Sequence, residues 1–184
     1  MRKIFTLKNF HTIALDFDGV FTNNKVYVTS SGDEFVRCDR SDSFGLNMLR
    51  EYISRNKFKI DLIILSREKS SVVLARAKKL NINCYHGISN KKTFLDTLFR
   101  NKKITIANPF EGLIYLGNDL NDLPVMSEAG FSMCPNDSHE LIKQVAHRIS
   151  KKNGGDGFIR DFVEFSIKLN KLSKRGLYEL ISYS

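Results

Sequence analysis

Residues 12–20 have the sequence Thr12-Ile13-Ala14-Leu15-Asp16-Phe17-Asp18-Gly19-Val20. Thr12–Phe17 is predicted to be a buried β-strand, after which the glycine lets the chain turn. Successive side chains of a strand alternate between its two faces, so Asp16 and Asp18 start from the same side. The stretch therefore predicts two carboxyl groups next to each other at the end of a strand.

This pair of carboxyl groups indicates chemistry at a cation. Adjacent carboxylates repel one another unless a cation lies between them, and a hard dication such as Mg²⁺ is the natural partner. One carboxylate can then attack an electrophile while the other moves protons. The alternative interpretation of Asp16 and Asp18 is a solvated acidic turn that binds nothing.

Strand-like and helix-like stretches alternate along the rest of the chain. Further strands are predicted at Ile60–Leu65, Asn83–Tyr85, Gly112–Leu116 and Gly130–Met133. Helices are predicted at Asp42–Arg55 with Ser41 as N-cap, Ser70–Leu80, Lys91–Arg100, Leu123–Glu128 and Ser138–Val145, and Phe158–Lys171 closes the core. Val26–Thr29 and Glu34–Arg37 flank a turn and predict a β-hairpin. The alternation predicts an α/β fold with a doubly wound parallel sheet, whose ligands bind beyond the carboxyl ends of the strands.

A second polar motif, Gly117-Asn118-Asp119-Leu120-Asn121-Asp122, follows one of the predicted strands and supplies a second set of oxygen ligands. By itself it is equally typical of a turn that caps the next helix. Ser66 and Lys91 also follow predicted strands. Ser66 could hydrogen-bond a phosphoryl oxygen or cap a helix, and Lys91 could neutralise a phosphoryl adduct or be a solvated charge at a helix start. Lys92 lies beside Lys91 and makes that choice harder.

Composition limits the kind of protein. The chain has 184 residues, 42% hydrophobic and 27% charged, so we expect one domain over residues 1–184 with a real core and no intrinsic disorder. No apolar run approaches the ~18–20 residues of a membrane helix. The N-terminus resembles a signal peptide only faintly, because polar residues interrupt it, so we expect a cytoplasmic protein without membrane contact. The three cysteines predict neither a zinc site nor a disulfide.

The net charge of +9 favours an anionic partner, namely a phosphate, a carboxylate or a nucleic acid. The chain has no tryptophan and no basic run interleaved with aromatic residues, which disfavours nucleic acid. A basic surface that serves only solubility is the simpler alternative.

In their order and spacing these stretches resemble the four motifs of the haloacid dehalogenase (HAD) superfamily of phosphohydrolases, over about residues 12–165. The resemblance implies a HAD-like Rossmannoid fold. It implies that Asp16 is the nucleophile that forms an aspartyl-phosphate, that Asp18 is the general acid and base, and that Ser66 and Lys91 hold the phosphoryl group. Mg²⁺ would be held by Asp16, the backbone carbonyl of Asp18, and Asn118. Many relatives have aspartate in place of Asn118, so metal affinity falls unless Asp119 or Asp122 compensates.

The segments between the motifs are too short for a cap domain. Such an open site either acts on a macromolecule or is closed by a neighbouring subunit. Asn23–Arg37 resembles the protruding hairpin of the tetrameric 3-deoxy-D-manno-octulosonate (KDO) 8-phosphate phosphatases, which implies a homotetramer. Residues 154–161 resemble their C-terminal glycine-rich signature, in which Arg160 either pairs with a substrate acid or anchors the last helix. The C-terminal tail, about residues 165–184, could fold over a neighbour's site or fray.

The substrate is implied to be a small sugar-acid phosphate. Residues 40–45, 66–69 and 76–80 resemble more closely a phosphatase of the nine-carbon acid 2-keto-3-deoxynononate 9-phosphate. Three groups are then implied to bind substrate: Ser41, Asp42 and Ser43; Arg67 and Glu68; and Arg76 and Lys79. A solvated basic helix face is the alternative for the last two.

Two other functions remain open. Asn118 also resembles the HAD domains attached to acylneuraminate cytidylyltransferases, so a regulatory module that works with such an enzyme is possible. A capless phosphatase of nucleic-acid or protein phosphates is the other, favoured by the net charge.

Overall fold

The computed structural model describes residues 5–182 and has a six-stranded parallel sheet at its centre. The strands are β1 (Thr12–Leu15), β4 (Asp61–Leu65), β5 (Asn83–Tyr85), β6 (Leu113–Leu116), β7 (Phe131–Cys134) and β8 (Arg148–Ile149). Their order across the sheet is β5-β4-β1-β6-β7-β8, and all five pairings are parallel. Since the order reverses at β1, the chain winds outward to both sides of its first strand, as predicted.

Helices cover both faces of the sheet. They are α1 (Arg40–Arg55), α2 (Ser71–Leu80), α3 (Lys91–Asn101), α4 (Leu123–Met126), α5 (Glu140–Val145), α6 (Phe158–Ser166) and α7 (Lys174–Ile181). Ile13 and Leu15 of β1 pack in one apolar cluster with α1, α2 and α6, whereas Ala14 packs in the other with α3, α4 and α5. This alternation explains why the central strands are apolar along their whole length.

The register of the central strands places the polar motifs together. Leu15 is paired with Ile64 of β4 on one side and with Leu116 of β6 on the other. Asp16 donates its backbone N–H to the Leu116 carbonyl (2.9 Å), so the chain passes the edge of the sheet at this point. The residues after β1, β4 and β6 therefore emerge at one edge.

Several predicted boundaries are corrected. β1 ends at Leu15 and not at Phe17, because the backbone turns at the aspartates. Ser41 is not the N-cap of α1, since the Asp39 side chain accepts the Ser41 N–H (2.6 Å) and the helix begins at Arg40. The segment Phe158–Lys171 contains α6 and a 3₁₀ turn (Leu169–Lys171). β8 and α7 were not predicted.

A hairpin of β2 (Tyr27–Val28) and β3 (Glu34–Phe35) protrudes between β1 and α1. Its apolar side chains are exposed, with Tyr27 at 59% and Val28 at 66%. Within residues 5–182, the hairpin and α1 are the only elements between β1 and β4, and one 3₁₀ turn separates α3 from β6. The predicted absence of a cap domain is thereby confirmed.

The C-terminal helix packs on its own chain. Arg55 of α1 donates to the Glu179 carboxylate (2.9 Å) and to the Glu179 carbonyl (2.8 Å), and Leu180 is buried. In this structure the tail lies against α1 of the same subunit. None of the helices in residues 5–182 has the length and apolar composition needed to cross a membrane.

Asp42 of α1 caps α6 from outside that helix. The N-cap residue of α6, Gly157, has no capping side chain, and Asp42 Oδ1 accepts the N–H of Arg160 (2.8 Å). Asp42 is 1% exposed, and its Oδ2 has no hydrogen-bond partner among the described residues. Burial raises the pKa of the Asp42 carboxyl to about 7.

The cap makes stability depend on pH. The folded chain holds the Asp42 proton more tightly than the unfolded chain, whose carboxyl has a pKa near 3.8, so this group lowers the free energy of unfolding as pH rises from about 4 to 7. Asp42→Asn keeps an acceptor for Arg160 but cannot ionise. The wild type should lose stability between pH 5 and pH 8, whereas Asp42→Asn should not. We therefore expect the free energy of unfolding of Asp42→Asn minus that of wild type, measured by urea denaturation, to be larger at pH 8 than at pH 5. Asp42→Ala loses the cap and should be less stable at both pH values, and a pH-independent difference for Asp42→Asn would contradict this role.

Candidate active site

A buried lysine between two buried aspartates forms the centre of the site. Lys91 Nζ lies 2.8 Å from Asp16 Oδ1 and 2.7 Å from Asp122 Oδ1. The side chains are at most 5% exposed. Three separate segments supply these residues: the end of β1, the start of α3, and the loop after β6. Asp16 Oδ1 also accepts the N–H of Phe17 (2.7 Å), which fixes the carboxylate at the sheet edge.

The position of Lys91 resolves its ambiguity with Lys92. Asn90 caps α3 by accepting the Thr93 N–H (3.0 Å), so the helix begins at Lys91. Lys91 points inward to the aspartates, whereas Lys92 pairs with Glu128 in a partly exposed ion pair. The interpretation as a solvated helix-start charge is therefore wrong for Lys91 and describes Lys92.

Asp122 has a larger part than the sequence suggested. Asp122 Oδ1 accepts hydrogen bonds from Lys91 Nζ and from the Tyr115 hydroxyl (2.7 Å), and Oδ2 accepts one from the backbone N–H of Asn118 (2.9 Å). A Cβ on Gly117 would lie 2.6 Å from its Cγ, so the close approach requires glycine there. Sequence reasoning treated Asp122 only as a compensating charge. Its position four residues after Asn118, where it can close the loop, was the available signal.

Charges in the cluster do not balance. Asp16 and Asp122 ionised with Lys91 protonated give −2 + 1 = −1, and Asp18 adds a further negative charge. Burial and then the Asp122 charge raise the pKa of Asp16 to about 8, against the opposing effect of Lys91. Burial alone would lower the pKa of Lys91, but the attraction of Asp16 and Asp122 outweighs it and raises that pKa. Burial, followed by the Glu68 charge, raises the pKa of Asp18. A bound cation would relieve this excess of negative charge.

Asn118 fits a metal at this place. Its Oδ1 is buried and has no hydrogen-bond partner among residues 5–182. A Cβ on Gly19 would lie 1.9 Å from Asn118 Nδ2, so the turn after β1 and this amide are in direct contact. Asp119 is exposed and its carboxylate accepts the Leu120 N–H (2.7 Å). The described chain has no cluster of three His, Cys, Asp or Glu side chains around one point.

The cavity beside this cluster has a volume of 310 Å³. It is lined by Asp16, Asp18, Asn24, Arg67, Glu68 and residues 118–121. Ser66 is buried directly after β4, and its Oγ accepts the Glu68 N–H (3.1 Å), which leaves the hydroxyl proton to donate elsewhere. Ser66 is not a helix cap, since Ser70 caps α2 through the Val72 N–H.

The other predicted substrate residues do not line this cavity. Ser43 Oγ accepts from Arg76 (2.5 Å), so these two are brought together. Ser41 and Lys79 are exposed. Asp42 is buried and caps α6 through Oδ1, while its Oδ2 has no hydrogen-bond partner among the described residues, so its contact with substrate stays a prediction.

Arg160 pairs with Glu164 of its own helix (2.6 Å) and lies over the Phe44 ring. Asp161 accepts the Ser150 hydroxyl (2.6 Å). These contacts favour the interpretation of residues 160 and 161 as anchors of α6.

Comparison with known proteins identifies the family. The haloacid dehalogenase-like hydrolase family matches residues 8–161. Since the match covers most of the chain, the chain belongs to the haloacid dehalogenase-like hydrolases. The 3-deoxy-D-manno-octulosonate 8-phosphate phosphatase of Salmonella typhi is 31% identical over 155 residues, which are 84% of this chain and 77% of that relative. The chain is accordingly a phosphoric monoester hydrolase.

Solved structures agree with this assignment. A HAD-family hydrolase from Streptomyces avermitilis superposes with a TM-score of 0.81 at 33% identity, covering 96% of this chain and 97% of that one. The KDO 8-phosphate phosphatase of Moraxella catarrhalis, solved with magnesium, phosphate and KDO, gives a TM-score of 0.78 at 29% identity over 88% of both chains. The predicted fold is confirmed, and a divalent metal belongs to the chemistry of this family.

Removing Lys91 tests the cluster. In Lys91→Met the two carboxylates remain buried without their cation, and such a broken buried pair costs on the order of 3–5 kcal/mol of unfolding free energy. The loss should be larger at pH 9 than at pH 6, because Asp16, whose pKa is about 8 in the intact cluster, is ionised at pH 9 in the wild type and then gains most from Lys91. Urea denaturation at the two pH values measures it. Lys92→Met is the matched control and should change stability little at either pH, and equal losses for both variants would contradict the assignment.

Proposed function

We propose that this chain hydrolyses the phosphate ester of a keto-deoxy sugar acid, either a nonulosonate 9-phosphate or KDO 8-phosphate, with Mg²⁺. The observation that carries the proposal is the pair Asp16 and Asp18 at the end of β1, held next to the buried Lys91 and open to a cavity. The phosphatases among its relatives support the reaction class.

In the proposed reaction Asp16 attacks phosphorus. A bond forms between a carboxylate oxygen of Asp16 and the phosphorus atom as the bond to the sugar oxygen breaks, and Asp18 gives its proton to that leaving oxygen. Burial and the Glu68 charge raise the pKa of Asp18, which is the direction that favours a general acid. Asp18 then takes a proton from the water that attacks the aspartyl-phosphate, which releases phosphate and restores Asp16.

The surrounding residues position the phosphoryl group. Lys91 supplies positive charge beside Asp16, and the Ser66 hydroxyl, whose proton is not used by the Glu68 N–H contact, would donate to a phosphoryl oxygen. Asp16, the Asp18 carbonyl and Asn118 would hold Mg²⁺. When bound, the ion neutralises charge on the phosphoryl oxygens and on the carboxylates. The unpartnered Oδ1 of Asn118 supports this assignment over Asp119.

Arg76 supports an acidic sugar as substrate. Within residues 5–182 its guanidinium is held by Ser43 Oγ and the Asp39 carbonyl, no carboxylate is within ion-pair distance, and its Nε is buried without a partner. A cation held by neutral groups can accept the carboxylate of a 2-keto acid. Arg67 and Glu68 line the cavity, where the Glu68 carboxylate can accept hydrogen bonds from the hydroxyl groups of the polyol. Ser41 and Lys79, being exposed, are proposed to contact only the far end of the substrate.

Phosphate release from a substrate panel tests this function. We expect turnover of KDO 8-phosphate or a nonulosonate 9-phosphate to exceed that of a neutral sugar phosphate, and Asp16→Asn to abolish it without loss of the fold. Asp119→Asn is the matched control at an exposed aspartate of the same cavity and should keep most of the activity. Activity in Asp16→Asn would refute the nucleophile. A wild-type chain with Mg²⁺ but no turnover of any ester would instead support a regulatory module.

We further propose a homotetramer in which the hairpins of neighbouring subunits meet. Val26, Tyr27, Val28 and Phe35 are each more than half exposed, which forms an apolar surface on a two-stranded element that is unstable alone in water. A second copy of the chain would cover this surface and could narrow the open cavity.

Light scattering checks the assembly. We expect the mass of four chains for wild type and a smaller particle for Val28→Asp, because a charge would be buried in the hairpin contact. Ile149→Asp, at an exposed apolar residue of β8, is the control and should keep the wild-type mass. A monomeric wild-type chain would overturn the proposal.

A further inference from the structure

The glycine-rich loop before α6 contacts the turn that follows β1. Gly155 donates its N–H to the Val20 carbonyl (3.1 Å), and Gly154 lies directly against the Gly19 backbone. We infer that Gly154 and Gly155 are positioning residues of the active site, which hold the turn of Asp18 against Asn118. The inference rests on the proposed function of Asp18 and Asn118.

The contact leaves no room for a side chain. A Cβ on Gly154 would lie 2.0 Å from the Gly19 carbonyl oxygen and 2.9 Å from that of Thr22. A Cβ on Gly155 would lie 2.5 Å from the Thr22 carbonyl carbon, and Gly155 also has a φ of +61°. These neighbours are backbone atoms, so they cannot rotate away as a side chain would. A substitution must therefore move one of the two loops.

The turn after β1 is confined on its other side as well. Gly19 is in contact with the Asn118 amide, since a Cβ at residue 19 would lie 1.9 Å from Nδ2. Asn118 is in turn fixed by the hydrogen bond that its backbone N–H donates to the Asp122 carboxylate. Three layers are thus in contact: the Gly154 backbone, the Gly19 backbone and the Asn118 side chain. Any displacement at Gly154 reaches Asp18, because Asp18 directly precedes Gly19.

The glycine loop is itself tethered. Asp137, which follows β7, accepts the Gly154 N–H through Oδ1 (3.0 Å). Asp137 is exposed, so its substitution removes the tether without opening the core. The loop can therefore be perturbed in two ways. Substitution of Asp137 removes one hydrogen bond, whereas substitution of Gly154 places a side chain against the Gly19 backbone.

Gly154→Ala and Gly130→Ala provide a matched pair. A Cβ on Gly130, before β7 at the opposite edge of the sheet, would lie 1.9 Å from the Glu111 carbonyl oxygen, nearly the same collision as at Gly154. Both variants should lose stability. Only Gly154→Ala should bind Mg²⁺ more weakly, by about tenfold or more in Kd measured by titration calorimetry without substrate, and show a lower kcat at saturating Mg²⁺.

The outcomes separate the two proposals. If wild type turns over substrate and Gly154→Ala matches Gly130→Ala in Mg²⁺ Kd and kcat, the positioning role is overturned while the proposed function stands. If wild type binds no Mg²⁺, the proposed function fails first. Should Gly154→Ala not fold, Asp137→Ala decides: a several-fold weaker Mg²⁺ affinity with little change in Tm supports the role, and an unchanged affinity overturns it.

Discussion

The buried contact of Lys91 with Asp16 and Asp122 is the constraint on which the rest of the site depends. Charged groups removed from water are unfavourable unless each finds a partner, so the three segments that supply these residues must arrive in register. The parallel sheet provides that register, because β1 and β6 end at paired residues. Tyr115 and the backbone of the loop after β6 then satisfy the remaining lone pairs of Asp122.

When Asp16 and Asp122 are both ionised, Lys91 neutralises only one of them, and the cluster has an excess of negative charge. Asn118 contributes an oxygen without another charge, which keeps four acidic groups from meeting at one point. The raised pKa values of Asp16 and Asp18 have the same origin in burial and like charge. A chain with a net charge of +9 thus concentrates negative charge at a single edge of its sheet, where a metal and a phosphoryl group are expected.

Local patterns predicted most of the sheet and the residues at its edge. Asp16, Asp18 and Ser66 follow apolar strands, and strand ends are visible in sequence. Lys91 lies after β5, at the start of a predicted helix. Contacts between distant segments could not be predicted in this way. Asp42 looked like part of a substrate motif, yet it caps α6 through a backbone N–H 118 positions away. The N-cap of α1 was misplaced by two residues because Asp39 and Ser41 are both good caps. β8 was missed because a strand of two exposed residues has no apolar pattern.

The residues at the rim of the cavity are exposed and make fewer contacts with the rest of the chain than the residues at its floor. Arg67 and Leu120 line the cavity and are exposed. Asp16 and Asn118, which line the same cavity, are buried and are held by the ion cluster and by the contact with Gly19. If the proposed function holds, substitutions at Arg67 and Leu120 are expected to alter which ester enters without moving the buried cluster. Directed evolution of new specificities should therefore begin at this rim.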